Sequence, residues 1–278
     1  MTREAGIVAA MAASTLDPAI QLMQTRYRMA LADGWDIRPG AAVLEIGCGQ
    51  GDMTAVLADA VGPDGRVIGL DNADPSYGAP VTIGESAQVL LDSPLGARID
   101  IRLGTDALDE RFDAHEFDHV VFSHCTWYFD SIARLRDTLR AVGRWAPRLC
   151  FAEWDLCPNH PDQLAHLLAV LVQGQLAAHW LDTGGNVRTP FSRETLRDVL
   201  AAAGWHIDHT QTVDTEGLQD ADWEVDAALE LASLFQLPGR EFLAGQLDVL
   251  RSVAAEKGNR PLPAYQLVAS QIRPSRSA

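Results

Sequence analysis

One short stretch carries the residues whose types and spacing most directly suggest chemistry: an acid followed by three glycines at alternate positions, Glu45, Gly47, Gly49 and Gly51. Glycine adopts positive φ and has no Cβ, so a ligand can lie directly against the backbone of such a turn. The apolar run before the turn predicts a short buried strand, and the apolar spacing after it predicts an amphipathic helix. A strand, a glycine turn and a helix in this order are typical of a nucleotide-type site at the carboxyl end of a parallel strand.

The spacing of the glycines distinguishes between two kinds of cofactor. Dinucleotide-binding turns have the pattern G-x-G-x-x-G and hold a pyrophosphate at the helix N-terminus, whereas here the third glycine comes one residue earlier and Asp52 follows it. A carboxylate at that position disfavours a phosphate. The pattern Glu45-x-Gly47-x-Gly49-x-Gly51 instead resembles motif I of the class I S-adenosylmethionine (SAM) methyltransferases, whose cofactor has a cationic methionine end and no phosphate.

The resemblance covers roughly residues 40–215, and it implies further contacts to the cofactor. An acid about 20 residues past the glycine turn, at the end of the next strand, binds the ribose hydroxyls in βαβ units of this kind. Asp71, with Asn72 beside it, matches that position. Asp106 and the backbone N–H of Ala107 match the position that reads the adenine edge in the family, and a helix-capping Asp is the alternative. The remaining cofactor contacts that we predict, at the turn and at the end of the fourth strand, are Cys48, Ser123 and His124.

A helix is predicted before the first strand, over residues 16–33, because apolar residues recur there along one side. We expect this helix to lie over the cofactor, with Tyr27 or Arg28 reaching the methionine end. For Tyr27, packing in the core is the simpler interpretation.

The residues expected to act on the acceptor follow two predicted strands. Methyl transfer from a sulfonium is an in-line displacement with an activated donor, so a base helps only where the nucleophile loses a proton as it attacks. His124 is the best base by its ordinary pKa, although a hydrogen-bonded loop histidine is an equally good interpretation. Glu153 is expected to act directly or to orient His124, and Tyr128 to hydrogen-bond the acceptor.

Aromatic side chains near the ends of strands and of a predicted lid indicate an apolar, aromatic acceptor pocket. The residues that we expect to line it are Trp127, Tyr128, Trp154, His179 and Trp180. From this placement alone, our hypothesis is a small aromatic or heteroaromatic acceptor of natural-product type, methylated on oxygen, nitrogen or an electron-rich carbon such as that of an indole. Some of the tryptophans are expected to be ordinary core residues.

The composition argues against other partners and cofactors. The chain of 278 residues has a formal net charge of −16, whereas a nucleic-acid substrate needs Lys and Arg to neutralise its phosphates. The four cysteines have no zinc spacing, and no oxygen-ligand cluster for Mg²⁺ is evident, so we expect no metal. No run approaches the roughly 18 apolar residues of a membrane span. The sequence therefore predicts a cytoplasmic enzyme with a small-molecule acceptor, no nucleic-acid or membrane partner, and a homodimer as a possible assembly.

Seven predicted strands alternate with helices, without an internal repeat or a linker. Their expected bounds are 43–46, 66–70, 99–103, 118–123, 148–154, 205–213 and 264–272. This pattern predicts a single doubly wound α/β domain over residues 1–278, with a mostly parallel, Rossmann-like sheet of seven strands whose last strand is antiparallel. The helical additions that we expect are an N-terminal cap over 1–38, a lid insertion over 157–190 and extra helices over 220–258.

Two other functions remain open from the sequence. A nicotinamide-dependent oxidoreductase uses a similar sheet, although the missing G-x-x-G spacing counts against it. A non-catalytic protein that binds SAM would keep the same turn without turning over a substrate.

Overall fold

The computed structural model describes residues 2–15, 17–179, 185–234 and 240–272. Within these residues seven strands form a single sheet: β1 (Ala42–Ile46), β2 (Arg66–Leu70), β3 (Ile99–Arg102), β4 (His119–Ser123), β5 (Arg148–Trp154), β6 (Trp205–Val213) and β7 (Ala264–Gln271). Their spatial order is β3-β2-β1-β4-β5-β7-β6. The first five strands are parallel to their neighbours, whereas β7 is antiparallel to both β5 and β6. The predicted fold class is therefore confirmed, and the last strand lies between the fifth and the sixth.

The central strands read as apolar runs because both of their faces are covered. In β4, residues 120–122 are fully buried, and so are residues 149–152 of β5. The carboxyl ends of parallel strands meet at one edge of the sheet, so the residues that follow β1, β2, β4 and β5 are brought to a common edge. This edge holds the candidate site.

Helices connect and flank the strands in the described residues: α1 (Arg3–Val8), α2 (Pro18–Gly34), α3 (Asp52–Val61), α4 (Ile83–Leu91), α5 (Ile132–Val142), α6 (Leu164–His179), α7 (Arg193–Ala203), α8 (Asp220–Leu234) and α9 (Arg240–Lys257). Side chains cap several of their N-termini, as the sequence leads one to expect. Asp17 accepts the N–H groups of residues 19 and 20 of α2, and Ser192 accepts that of Thr195 in α7. None of the helices in the described ranges is long and apolar enough to cross a membrane.

Two short helices begin at capped positions. Helix α1 lies within the expected N-terminal helical cap, although no clear period predicted its bounds, and the side chain of Thr2 caps it. Helix α4 begins at Ile83, where Thr82 and Glu85 form a reciprocal capping box. Local capping, rather than the glycine and prolines nearby, decides where this helix begins.

The predicted lid and the extra helices share a second, smaller hydrophobic core. It is formed mainly by α6, α8 and α9, with Ala165, Val172, Leu176, Val225, Leu247 and Leu250 among its buried members. The segment after α6 is attached to the site region, because the backbone N–H groups of Arg188 and Thr189 both donate to the carbonyl of Trp127 at 2.8 Å. Movement of this layer as a lid remains a prediction.

Candidate active site at the carboxyl edge of the sheet

The three glycines of the turn between β1 and α3 have two different structural roles. All three adopt positive φ: +76° at Gly47, +50° at Gly49 and +86° at Gly51. A Cβ added at Gly47 would lie 2.5 Å from the Cβ of Cys125, and one added at Gly51 would lie 2.8 Å from Cδ2 of Leu90. A Cβ at Gly49 would meet no atom within 4 Å. Two glycines therefore allow close packing inside the protein, and Gly49 presents bare backbone to open space, where a cofactor fits.

The acid of the motif, Glu45, is buried beneath this turn with 1% of its surface exposed. The hydroxyl of Thr54, on α3, donates to its Oε2 at 2.5 Å. Burial raises the pKa of Glu45 to about 8, and the charge of Arg28 partly offsets this rise. A nearby cation would stabilise the charged form of this carboxyl. The ammonium group of a methionine moiety is such a cation.

Asp71, at the end of β2, closes the turn from the other side. Its Oδ2 accepts the N–H of Gly49 at 2.8 Å, and its Oδ1 accepts the N–H of Ala73 at 2.9 Å. A carboxylate oxygen has two lone pairs, so each oxygen can still accept a ribose hydroxyl. Asn72 is exposed beside it. Cys48 is buried and packs against Gly69, so its backbone rather than its thiol belongs to the ligand side of the turn.

Asp106 does not cap a helix, which was the alternative that the sequence left open, because residues 107–109 form a turn. Its Oδ1 accepts the N–H of Leu108 at 2.8 Å, and its Oδ2 forms an ion pair with Arg134 of α5. Ala107 is buried next to it. The position still lies at the carboxyl side of β3, as a contact to an adenine edge requires, and that role stays a prediction.

His124, directly after β4, is the centre of a polar cluster. Its backbone adopts φ of +50°, in the left-handed region that a non-glycine residue rarely occupies. The hydroxyl of Tyr27, from α2, lies 2.7 Å from its Nε2, and Oε1 of Glu153 lies 3.4 Å from its Nδ1. The ring centroid of Trp154 is 4.7 Å from that of His124. Strained backbone that surrounding contacts hold in place is characteristic of functional positions.

Glu153 is positioned by donors on its own edge of the sheet. Its Oε2 accepts both the hydroxyl of Thr126 at 2.6 Å and the backbone N–H of Thr126 at 3.1 Å, and its Oε1 accepts the N–H of Trp154 at 3.1 Å. Only 1% of the residue is exposed. These donors stabilise a buried negative charge facing His124.

The comparisons with known proteins decide the family. The family described as the methyltransferase domain matches residues 20–210 of the chain. The chain belongs to this family. Together with the strand order and the glycine turn, the match makes it a class I, SAM-dependent methyltransferase family member.

Individual relatives differ in how much they share with this methyltransferase-family chain. Methyltransferase phomM' of Diaporthe leptostromiformis is 30% identical over an alignment of 206 residues, gaps included, that covers 59% of this chain and 53% of that protein. Nocamycin O-methyltransferase of Saccharothrix syringae is 36% identical over 137 residues, 46% of each chain. The chain thus spans about half the length of these curated relatives.

Solved structures resemble the fold more completely. The cyclopropane-fatty-acyl-phospholipid synthase-like protein of Lactobacillus casei is 34% identical, with a TM-score of 0.88 over 96% of this chain and 98% of that one. The [4+2]-cyclase SpnF is 17% identical, with a TM-score of 0.53 over 89% of this chain and 81% of that one. The latter likeness shows the fold alone, and its name describes a reaction other than methyl transfer. The site of this methyltransferase-family chain, rather than its fold, must therefore indicate what it acts on.

The two residues predicted on α2 have separate partners. Tyr27 is buried, as the core interpretation expected, and it also contacts His124. The Nη1 group of Arg28 donates to the carbonyl and to the side-chain oxygen of Gln24. The charge of Arg28 nevertheless acts on the carboxyl of Glu45.

The predicted acceptor residues of this methyltransferase-family chain do not all converge. Trp154 contacts His124 and is itself buried in the main core with 8% exposure, and its role as a pocket wall stays a prediction. Trp127 is buried in the main core with 2% exposure, and Tyr128 is exposed. His179 ends α6, where its Nδ1 pairs with the carbonyl of Gln175. Trp180 lies outside the described residues. Ser123 is the last residue of β4, paired with Ala152 of β5.

Three polar residues of the site were missed from the sequence. Thr54 and Thr126 supply the hydroxyls that hold the two buried carboxylates, and His166 of α6 packs edge-on against Trp154 with ring centroids 5.2 Å apart. The threonines look ordinary in a helix or after a strand, and His166 interrupts an apolar helical stretch without any motif. Only a polar residue at an expected apolar position could have drawn attention to His166.

Proposed function

We propose that this chain is a SAM-dependent methyltransferase that methylates a small aromatic or heteroaromatic acceptor, with His124 as the base. The observation that carries the proposal is the cluster of Tyr27, His124 and Glu153 next to the glycine turn. Gly47 and Cys125 come so close that an added Cβ would overlap the cysteine, so His124 lies beside the turn expected to hold the cofactor.

Bound SAM would supply a methyl group already activated on a sulfonium, leaving S-adenosylhomocysteine as the product. The residues that would hold it are Gly49 through its open backbone, Asp71 at the ribose, Glu45 near the methionine end and Asp106 at the adenine edge. The free space at Gly49 and the desolvated carboxyl of Glu45 fit such a ligand.

The protein's own contribution to proton transfer follows from the orientation of His124. Because Nδ1 faces the carboxylate of Glu153, a neutral ring carries its proton there and leaves Nε2 as the base. In that tautomer the hydroxyl of Tyr27, 2.7 Å away, donates to Nε2 in the free protein, so an acceptor hydroxyl or amine must replace Tyr27 or pass its proton through the Tyr27 oxygen. Glu153 then stabilises the charged imidazolium. The 3.4 Å distance to Nδ1 is a loose contact of the kind that tightens in a substrate complex.

The acceptor class is supported by the aromatic surroundings of the base. The ring of Trp154 lies beside His124, and an aromatic acceptor can pack against it. The name of the nocamycin relative describes methylation on oxygen, which agrees with a base at this position. The net charge of −16 supports a small molecule rather than a nucleic acid as acceptor.

Calorimetry with S-adenosylhomocysteine and with NAD tests the cofactor, and methyl transfer from SAM to a panel of phenols and indoles tests the reaction. We expect binding of S-adenosylhomocysteine but not of NAD, and turnover of at least one phenol or indole. Binding of NAD alone would support the oxidoreductase alternative. Binding of S-adenosylhomocysteine without any turnover would support a non-catalytic SAM-binding protein.

A further inference from the structure

His166 is a buried histidine with an assigned tautomer. It lies on α6 with no exposed surface. Its Nδ1 accepts the backbone N–H of Leu262 at 2.9 Å, and a nitrogen that accepts a hydrogen bond carries no proton. Burial lowers the pKa of His166 to about 3, so the ring is neutral at physiological pH and its one proton is on Nε2.

The N–H at Nε2 is a hydrogen-bond donor that the free protein does not use. Nε2 is buried and has no hydrogen-bond partner among the described residues. The edge-on packing against Trp154 offers at most a weak contact to the ring face. Leaving a buried donor unpaired is unfavourable, so an unpaired donor in a native protein calls for a partner such as a ligand or a water.

The position of His166 connects it to the proposed reaction site. Trp154 contacts both imidazoles, with centroid distances of 4.7 Å to His124 and 5.2 Å to His166. The charge of His124 also acts on His166, lowering its pKa. An acceptor ring that packs against Trp154 would therefore lie near both histidines.

We propose, building on the function proposed above, that the Nε2–H of His166 donates a hydrogen bond to a second oxygen of the acceptor. The preferred acceptors are then aromatic compounds with two functions: a hydroxyl or amine that faces His124, and a carbonyl or similar hydrogen-bond-accepting oxygen that faces His166. An acceptor without this oxygen leaves the buried donor unpaired and binds less well.

Two variants separate this role from a structural one. In His166→Asn, the amide oxygen occupies the place of Nδ1 and can still accept the N–H of Leu262, but the donor at Nε2 is gone. In His166→Gln, the amide nitrogen reaches the place of Nε2, but the acceptor for Leu262 is lost. A purely structural role predicts that Asn preserves all properties and that Gln does not.

The test uses 3-hydroxyacetophenone and 3-ethylphenol, which have nearly the same shape and differ in the carbonyl oxygen. Calorimetry measures the binding of each probe to the protein saturated with S-adenosylhomocysteine. We expect the wild type to prefer the ketone about tenfold, His166→Asn to lose that preference, and His166→Gln to keep most of it. The affinity for S-adenosylhomocysteine should stay within about twofold in His166→Asn.

Equal affinities in the wild type, an unchanged preference in His166→Asn, or failure of both probes to bind would overturn the role of His166. These outcomes are distinct from failure of the proposed function, because that failure appears in the wild type as absent binding of S-adenosylhomocysteine or as absent turnover of every phenol and indole in the panel. Nitrogen chemical shifts of His166 give an independent reading, since the probe with the carbonyl should move the Nε2 resonance and the other probe should not.

Discussion

The two halves of the site are organised by different kinds of contact. In the cofactor half, which is the glycine turn with Asp71, backbone groups make the main contacts. The turn of Gly47 to Gly51 leaves open space at Gly49, and two backbone N–H groups donate to Asp71. In the acceptor half, side chains hold one another: Tyr27 contacts His124, His124 faces Glu153, and Trp154 packs against His124 and His166.

This difference indicates how each half responds to its ligand. A turn fixed by glycine conformation and backbone hydrogen bonds is ready to bind, with little reorganisation. A cluster of side chains that satisfy each other must exchange internal hydrogen bonds for bonds to the acceptor, as Tyr27 must at His124. Mutations in the first half should therefore act on affinity for the cofactor, and mutations in the second on turnover and acceptor choice.

The largest effect is expected from His124→Ala. Loss of the base should lower kcat by about 10²–10⁴-fold for an acceptor that must lose a proton, with the affinity for S-adenosylhomocysteine within about twofold of wild type. Steady-state kinetics and calorimetry measure the two quantities. His206→Ala, at an exposed position of β6, is the matched control and should match the wild type in both. Equal losses of turnover and of affinity would contradict the role of His124 as the base. They would also contradict the expectation that the two halves of the site affect different kinetic quantities.

Asp71→Ala should weaken binding of S-adenosylhomocysteine by about 1–3 kcal/mol, because it removes charge-assisted hydrogen bonds and the acceptor for the N–H of Gly49. Calorimetry gives the dissociation constant. The control is Asp64→Ala, an exposed acid in the turn before β2, which should change nothing. An unchanged dissociation constant in Asp71→Ala would contradict the assigned ribose contact.

Glu45 gives the cofactor half a pH dependence. Because burial raises its folded-state pKa to about 8, the folded protein binds more protons than the unfolded chain between about pH 4.5 and 8. The contribution of Glu45 to the free energy of unfolding is therefore fully present at low pH, and it falls by about 1.4 kcal/mol per pH unit as pH rises through this window.

Glu45→Gln should flatten this slope, since the amide does not titrate, and it should also weaken binding of S-adenosylhomocysteine. Denaturation at several pH values, without cofactor, measures the slope. An identical slope in the variant and the wild type would show that Glu45 does not titrate in this range.

The smallest effect is expected from Tyr27→Phe. Its hydroxyl occupies Nε2 of His124 in the free protein, so its removal should change kcat by no more than about tenfold and leave the binding of S-adenosylhomocysteine unaffected. If Tyr27 relays the proton, kcat falls; if it only occupies the base until the acceptor arrives, kcat/KM rises. A large loss of cofactor affinity would instead indicate that Tyr27 contacts the cofactor, which is the role that the sequence predicted for Tyr27 or Arg28.

The sequence by itself determined the sheet and the cofactor half. Alternation of apolar strands and amphipathic helices gave strand bounds within one residue of those observed, because periodicity and turn chemistry act over short stretches of chain. The motif from Glu45 to Gly51 and the acid at Asp71 belong to one βαβ unit, so local spacing was enough to bring them together.

The tertiary structure alone decided the rest of the acceptor half. The sequence placed Glu153 beside His124, whereas Tyr27 and His166 meet His124 and Trp154 only after α2 and α6 dock on the edge of the sheet. Trp127 and Trp154 look alike in the sequence and both enter the main core, yet only Trp154 contacts the imidazole of His124. Side-chain contacts between distant segments depend on how helices pack, and no local pattern encodes that packing.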